Sequence, residues 1–224
     1  MVKMTIIWKN LIKRRLIMVE ERFAEGQVAA LDPMIDKLLT MMGSARDAFN
    51  RHSRASLLEL LSLQGVVAQD FNDVARQLRS LSARKSESER LVLTRLQSIV
   101  DHLGIIGDNI GRCAEPIKQK IKGAVLFSEK AVTQANFLFD QHSGMIRSLR
   151  DIIKTDNDFL KKYLLEEGRK LGKAALSFAT EHEDRMIEGL CMPEAAPIFL
   201  ALMDRMSTIA QHEVEIATLL TRKH

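Results

Sequence analysis

The chain has 224 residues, 46% hydrophobic and only 5% aromatic, with four prolines and eleven glycines. A chain this long can bury a substantial core, and its richness in Leu, Ile, Met, Ala, Lys, Arg and Glu favours helix over strand. The net charge of +4 is concentrated in residues 1–22, where Lys3, Lys9, Lys13, Arg14, Arg15 and Arg22 face only Glu20 and Glu21, and the rest of the chain is neutral.

These numbers exclude several classes. A nucleic-acid binder concentrates basic charge on its folded body and interleaves stacking aromatics, and neither pattern is present. The longest apolar run near a candidate span, residues 198–203, is far shorter than the roughly 18 residues that cross a bilayer, so no membrane span is expected. Lys9, Asn10, Lys13, Arg14 and Arg15 interrupt what would have to be the apolar region of a signal peptide. The two cysteines, Cys113 and Cys191, are far apart, form no CxxC pattern and read as small core hydrophobes. A cytoplasmic protein is the expectation, with the inner face of the membrane as an alternative location.

The first element in chain order is a basic helix near residues 4–24. Ile7, Leu11, Leu16, Val19 and Phe23 are read as its apolar face, with Trp8 and the lysines around them. Two outcomes are open for this arm. It packs against the rest of the protein, or residues 1–22 make a peripheral membrane contact in which anionic lipid attracts the positive charge and Trp8 sits at the interface.

Beyond the arm, prolines at 33, 116, 193 and 197 leave two long tracts without one, which the Gly/Ser clusters subdivide. The pattern predicts helices over 30–50, 54–82, 87–115, 122–154, 157–189 and 194–221. Ser86 and Glu89 have the spacing of a capping box at the start of the third. Stripes at three-four spacing mark the inward faces. They run through Leu57, Leu61, Gln64, Ala68, Phe71, Ala75 and Leu78, then Ala135, Leu138, His142, Met145, Leu149 and Ile152, then Leu164, Leu171, Ala175, Phe178, His182 and Met186. No segment alternates like a strand, so the fold is predicted to be all-α, with short antiparallel connections.

The two halves also match each other. A shift of 103 residues aligns 96–114 with 199–217, pairing Asp101 with Asp204, Leu103 with Met206, Ile106 with Ile209 and Ala114 with Ala217. Tandem three-helix units follow, over 28–117 and 118–224, after an arm of 1–27.

On these third helices, GIIGDNIGRCAE (104–115) and STIAQHEVEIA (207–217) resemble the two copies of the signature of the PhoU family, regulators of bacterial phosphate uptake. The resemblance covers about residues 28–222. It implies two tandem antiparallel three-helix bundles, and a kinship with the cytoplasmic tails of sodium–phosphate cotransporters. It also implies action by contact with a phosphate transporter or its sensor kinase. Members of the family often hold iron or another divalent metal through an E/DxxxD pair on each third helix. Carried over, those positions are Gly104 and Asp108, then Ser207 and Gln211, of which only Asp108 keeps a carboxylate. A displaced metal site on Asp101, Asp108 and Asp204 is the alternative to reading these three residues as solvated charge. A metal-binding bundle or metal-dependent enzyme is therefore the second functional class, a detached cotransporter tail the third, and a homodimer a further arrangement to test.

Enzyme motifs fail elsewhere. None of the residues three before a histidine (Phe49, Ile99, Phe139, Ala179, Ile209, Thr221) is the glutamate that a di-iron bundle needs. His182-Glu183 and His212-Glu213 lack a second histidine at zincin spacing, and Glu167 stands where a P-loop ending at Gly172-Lys173 requires glycine. No catalytic residue is expected. Gly104, Gly107 and Gly111 suggest a close helix crossing rather than a phosphate loop. Inward-facing His142 is predicted to be level with Glu213 and to form a buried hydrogen bond with it.

Overall fold

The computed structural model describes residues 31–82 and 86–221, which are helical throughout apart from their connections. The predicted basic helix at 4–24 lies outside the described residues. Seven helices follow within them: α1 (Asp32–Arg51), α2 (Arg54–Ser82), α3 (Glu87–Arg112), α4 (Ala114–Lys122), α5 (Glu129–Thr155), α6 (Asp158–Ile187) and α7 (Ala195–Thr221). Among the described residues no helix is long and apolar enough to cross a membrane.

Local chemistry sets most of these ends. Pro33 sits in the first turn of α1, where its missing N–H costs nothing. The α1–α2 turn is made by His52 in the left-handed region (φ 52°) and by Ser53, whose hydroxyl accepts from the Ser56 N–H at 3.1 Å. The capping box of Ser86 and Glu89 is present at the start of α3. Asp156 (φ 52°) closes α5, and Asn157 accepts from the N–H groups of Phe159 and Leu160 to open α6.

One predicted boundary is corrected. The third helix was expected to continue to 115 and the next to begin at 122. Instead α3 stops at Arg112, and the chain restarts at once as α4, with Pro116 in its first turn. Proline has no N–H to give the carbonyl four residues back, so an unbroken helix through 116 is costly, whereas a new first turn tolerates it. The following helix begins only at Glu129, where Ser128 accepts from the Ala131 N–H at 3.4 Å.

Helices α1–α3 pack on one another, as do α5–α7, with α6 against α7 the most extensive contact. The two groups join through α3 on α7 and α1 on α5. A continuous hydrophobic core crosses that join, from Leu38 and Phe49 through Leu103, Ile106 and Phe139 to Phe199 and Met206, all fully buried. Each such side chain contributes about 1.5–3 kcal/mol relative to exposure. At its edge, Arg46 pairs with Asp140 at 3.1 Å and Lys154 with Asp32 at 2.6 Å, linking α1 to α5.

The α2 stripe is shifted from the predicted one. Leu57, Phe71, Ala75 and Leu78 are buried as expected, but Leu60 and Val67 complete the face, while Leu61 is 44% exposed and Ala68 lies outside. Leu57, Phe71 and Leu78, on one seven-residue frame, keep their place, so the face has not drifted; between them the buried position follows three residues on, at Leu60 and Val67, rather than four, on the other flank of the same stripe.

The glycine crossing is present. A β-carbon on Gly107 would lie 3.0 Å from Leu38 and 3.1 Å from Val67, and one on Gly111 would lie 2.4 Å from Gln64. At Gly104 the neighbour is Phe71 at an ordinary 3.7 Å, so the tight approach of α3 to its neighbours is centred lower on the helix.

Candidate functional site

The two helices matched by the 103-residue shift, α3 and α7, lie side by side at the join of the two groups. Their burial phases agree under the 103-residue shift. Leu103 and Met206, Ile106 and Ile209, and Ile110 and Glu213 are all fully buried, whereas Asp101 and Asp204 are both exposed. The seam of the join carries a pair of half-buried imidazoles, His102 on α3 and His212 on α7, with their Nδ1 atoms 2.8 Å apart. One ring must donate and the other accept, so the pair holds a single proton between its facing nitrogens. Burial, and then the neighbouring His102, push the pKa of His212 below the usual imidazole range.

The predicted metal donors occupy the surface. Asp108 accepts from Arg112 Nε at 2.6 Å, Asp101 from Gln97 Nε2 at 2.7 Å, and Asp204 lies 3.4 Å from Arg205. Among the described residues no three His, Cys, Asp or Glu side chains stand together as an ion would require, and these three aspartates form no such group. Asp101 and Asp108 do share a feature, since both edge an open groove of about 390 Å³ between α2 and α3, with Gly104 between them. Ser207 is half-buried and Gln211 exposed on α7.

Inside the second group, the predicted His142–Glu213 pair is formed. His142 Nδ1 and Glu213 Oε2 are 2.9 Å apart and both side chains are fully buried. Burial pushes the Glu213 carboxyl above the usual carboxylate range, against the lowering effect of His142. The inward His182 stacks on Phe199, with ring centroids 4.4 Å apart, and receives an Arg185 N–H at Nδ1. Burial, then Arg185, lower its pKa, which keeps the ring neutral. Arg185 also donates to Gln134 Oε1 at 3.2 Å, and Gln134 donates to Glu181, which pairs with Lys130 at 2.7 Å.

Two clusters escaped sequence reasoning. The His102–His212 contact depends on the crossing of helices that are 110 residues apart in sequence. The second is Lys120 on α4, almost wholly buried, whose Nζ lies 2.9 Å from His52 Nε2, 5.1 Å from the Phe49 ring and 5.7 Å from the Phe127 ring. Burial lowers its pKa to about 8. In sequence it reads as one of three basic residues on a short polar helix, with nothing to mark it as interior. Of the cysteines, Cys113 is fully buried and its thiol is pushed up to about 12 by that burial, so it packs as a hydrophobe, and Cys191 is partly exposed.

The arrangement therefore offers an exposed acid-edged groove beside α3 and a buried polar interior among α5–α7. No family model, no curated protein and no solved structure matches the chain.

Proposed function

We propose that this protein is a PhoU-like regulator of phosphate transport, acting at the inner face of the membrane by contact with a phosphate transporter or its sensor kinase. The observation that supports this most directly is the pairing of the third helices. GIIGDNIG in α3 and STIAQHEVEIA in α7 lie against each other at the join of two three-helix groups, with matching burial phase. The resemblance implied two tandem three-helix units, though not the contact of their third helices. Long helices with short connections also leave extended exposed faces suited to a partner.

Affinity capture from detergent-solubilised membranes of phosphate-replete cells, read by mass spectrometry, tests the proposal. Enrichment of a phosphate transporter or its sensor kinase over a tag-only control is the expected result. An eluate without either, or one in which metal analysis finds a stoichiometric ion in place of a partner, would favour the metal-binding class instead.

A further inference from the structure

The turn between α6 and α7 holds large apolar side chains in the open. Ile187 is 80% exposed, Leu190 65% and Met192 52%, and Leu126 stands 68% exposed on the α4–α5 connection. That connection adjoins the turn, because Val125 packs with Ala195 and Ile198, and the Phe127 ring lies 5.9 Å from that of Phe199. Apolar side chains clustered and left this open mark an interaction surface. The turn is firmly folded. Gly189 (φ 74°) ends α6 in a Schellman motif, with Leu190 N–H donating to the Arg185 carbonyl at 2.8 Å and Gly189 N–H to that of Met186 at 3.1 Å. The residue after the glycine in that motif usually packs on the side chain five positions back. Here that side chain is Arg185, whose guanidinium turns inward to Gln134 and His182, so Leu190 is left facing out.

The charge around these side chains is one-sided. Glu183, Asp184, Glu188 and Glu194 are all exposed, and none has an ion-pair partner among the described residues. Arg185 is the single basic residue of 183–194, and its side chain is only 12% exposed. On the neighbouring connection the exposed Lys122 and Glu129 offset each other. Glu183 and Asp184 stand one turn before Ile187 on its own face. With Glu188 they lie at the C-terminal end of α6, where the unpaired carbonyls already make the potential negative. A cation supplied from outside is what this end of the helix lacks.

That charge selects the occupant. Two copies meeting turn to turn would set like charges against each other, and an anionic lipid surface would be repelled in the same way. A basic amphipathic segment matches both the apolar and the acidic side chains. The inference rests on the contact reading above, in which the partner is a membrane protein, and cytoplasmic segments beside membrane spans are enriched in Lys and Arg. We propose that the α6–α7 turn is the docking surface for such a segment of the partner, with its apolar side chains on Ile187, Leu190 and Met192 and its Lys and Arg side chains on the four carboxylates.

The probe is a fluorescein-labelled amphipathic helix built of leucine and lysine alone, titrated into the full chain and read by anisotropy, with a leucine–glutamate helix as its counterpart. The wild-type protein should bind the lysine helix and not the glutamate one. Glu183→Lys with Glu188→Lys should weaken the lysine helix about tenfold, as the loss of two exposed ion pairs predicts, and should admit the glutamate helix. Ile187→Ser with Leu190→Ser should weaken the lysine helix as well, and both variants should keep wild-type helicity and melting because all four positions are exposed. Asp151→Lys with Glu166→Lys, exposed sites nearer the α5–α6 turn, should leave binding unchanged. The proposal is overturned if the wild type ignores the lysine helix, if the turn variants bind it as the wild type does, or if the distant reversal weakens it equally. Self-association, or retention on anionic vesicles, that is lost in Ile187→Ser with Leu190→Ser would assign the surface to a second copy or to lipid and overturn it too. The membrane capture separates this surface from the regulatory reading. A transporter or kinase captured equally by wild type and turn variants overturns the surface alone, whereas lysine-helix binding with no partner captured supports the surface and removes the regulatory reading.

Discussion

Buried polar residues are where single side chains govern this molecule. His142 and Glu213 sit in full burial with one hydrogen bond between them, so removing either strands the other. His142→Leu and Glu213→Leu should each cost about 3–5 kcal/mol in urea unfolding, and the double change should recover most of that loss. Additive losses in the double variant would mean that the two residues act independently. Their partnership was legible in the sequence, because both positions belong to apolar stripes and turn positions fix the level of each helix. Lys120 was not, since a lysine on a short polar helix carries no sign of burial until α4 folds against α1. Its amine titrates near 8 when folded and near 10.5 when free, so the unfolded chain binds more protons between those values. Stability should therefore rise with pH through that window, and the charged amine is a full liability below pH 8. Lys120→Met should raise the urea midpoint at pH 7, with an advantage over wild type that shrinks towards pH 10.5. A constant advantage across that range would place the effect in packing alone.

At the level of the helix, propensity and crossing distance compete, and the glycines separate them. Gly144 in α5 has nothing within 4 Å of where a β-carbon would stand, whereas the same atom on Gly168 in α6 would lie 2.6 Å from Val214 and 3.3 Å from Met145. Gly144→Ala should therefore stabilise by up to about 1 kcal/mol through helix propensity. Gly168→Ala should lose more than it gains, because Val214 is β-branched and stiff and overpacking costs about 1–3 kcal/mol. Thermal denaturation of the two variants checks this, and shifts of the same sign in both would contradict it. The sequence placed most helix ends to within about a turn, since caps and turn residues are local signals, but it missed α4 as a separate helix and began α5 seven residues early. It misplaced the α3–α4 break, where a proline tolerated in a first turn looks the same on paper as one that ends a helix. It also took Leu61 and Ala68 in place of Leu60 and Val67, because residues three and four after a buried position flank the same stripe and the sequence alone does not say which flank meets the neighbour.

For the whole molecule, the long-range features were the least legible. The tandem match of 96–114 with 199–217 foresaw the shared burial phase of α3 and α7, but not their direct contact or the His102–His212 pair at the seam. The three aspartates whose spacing suggested metal donors line a groove or the open surface, each on its own helix-local partner, because spacing along a helix fixes a face and not what that face meets.

The claim that most needs testing is that the protein regulates phosphate transport by contact. The most direct measurement is the initial rate of labelled phosphate uptake in phosphate-replete cells with the gene deleted, compared with cells complemented by the wild-type chain. A regulator predicts an uptake rate that no longer responds to phosphate supply in the deletion and returns to normal control on complementation. An uptake rate and a supply response identical in the two strains would contradict it.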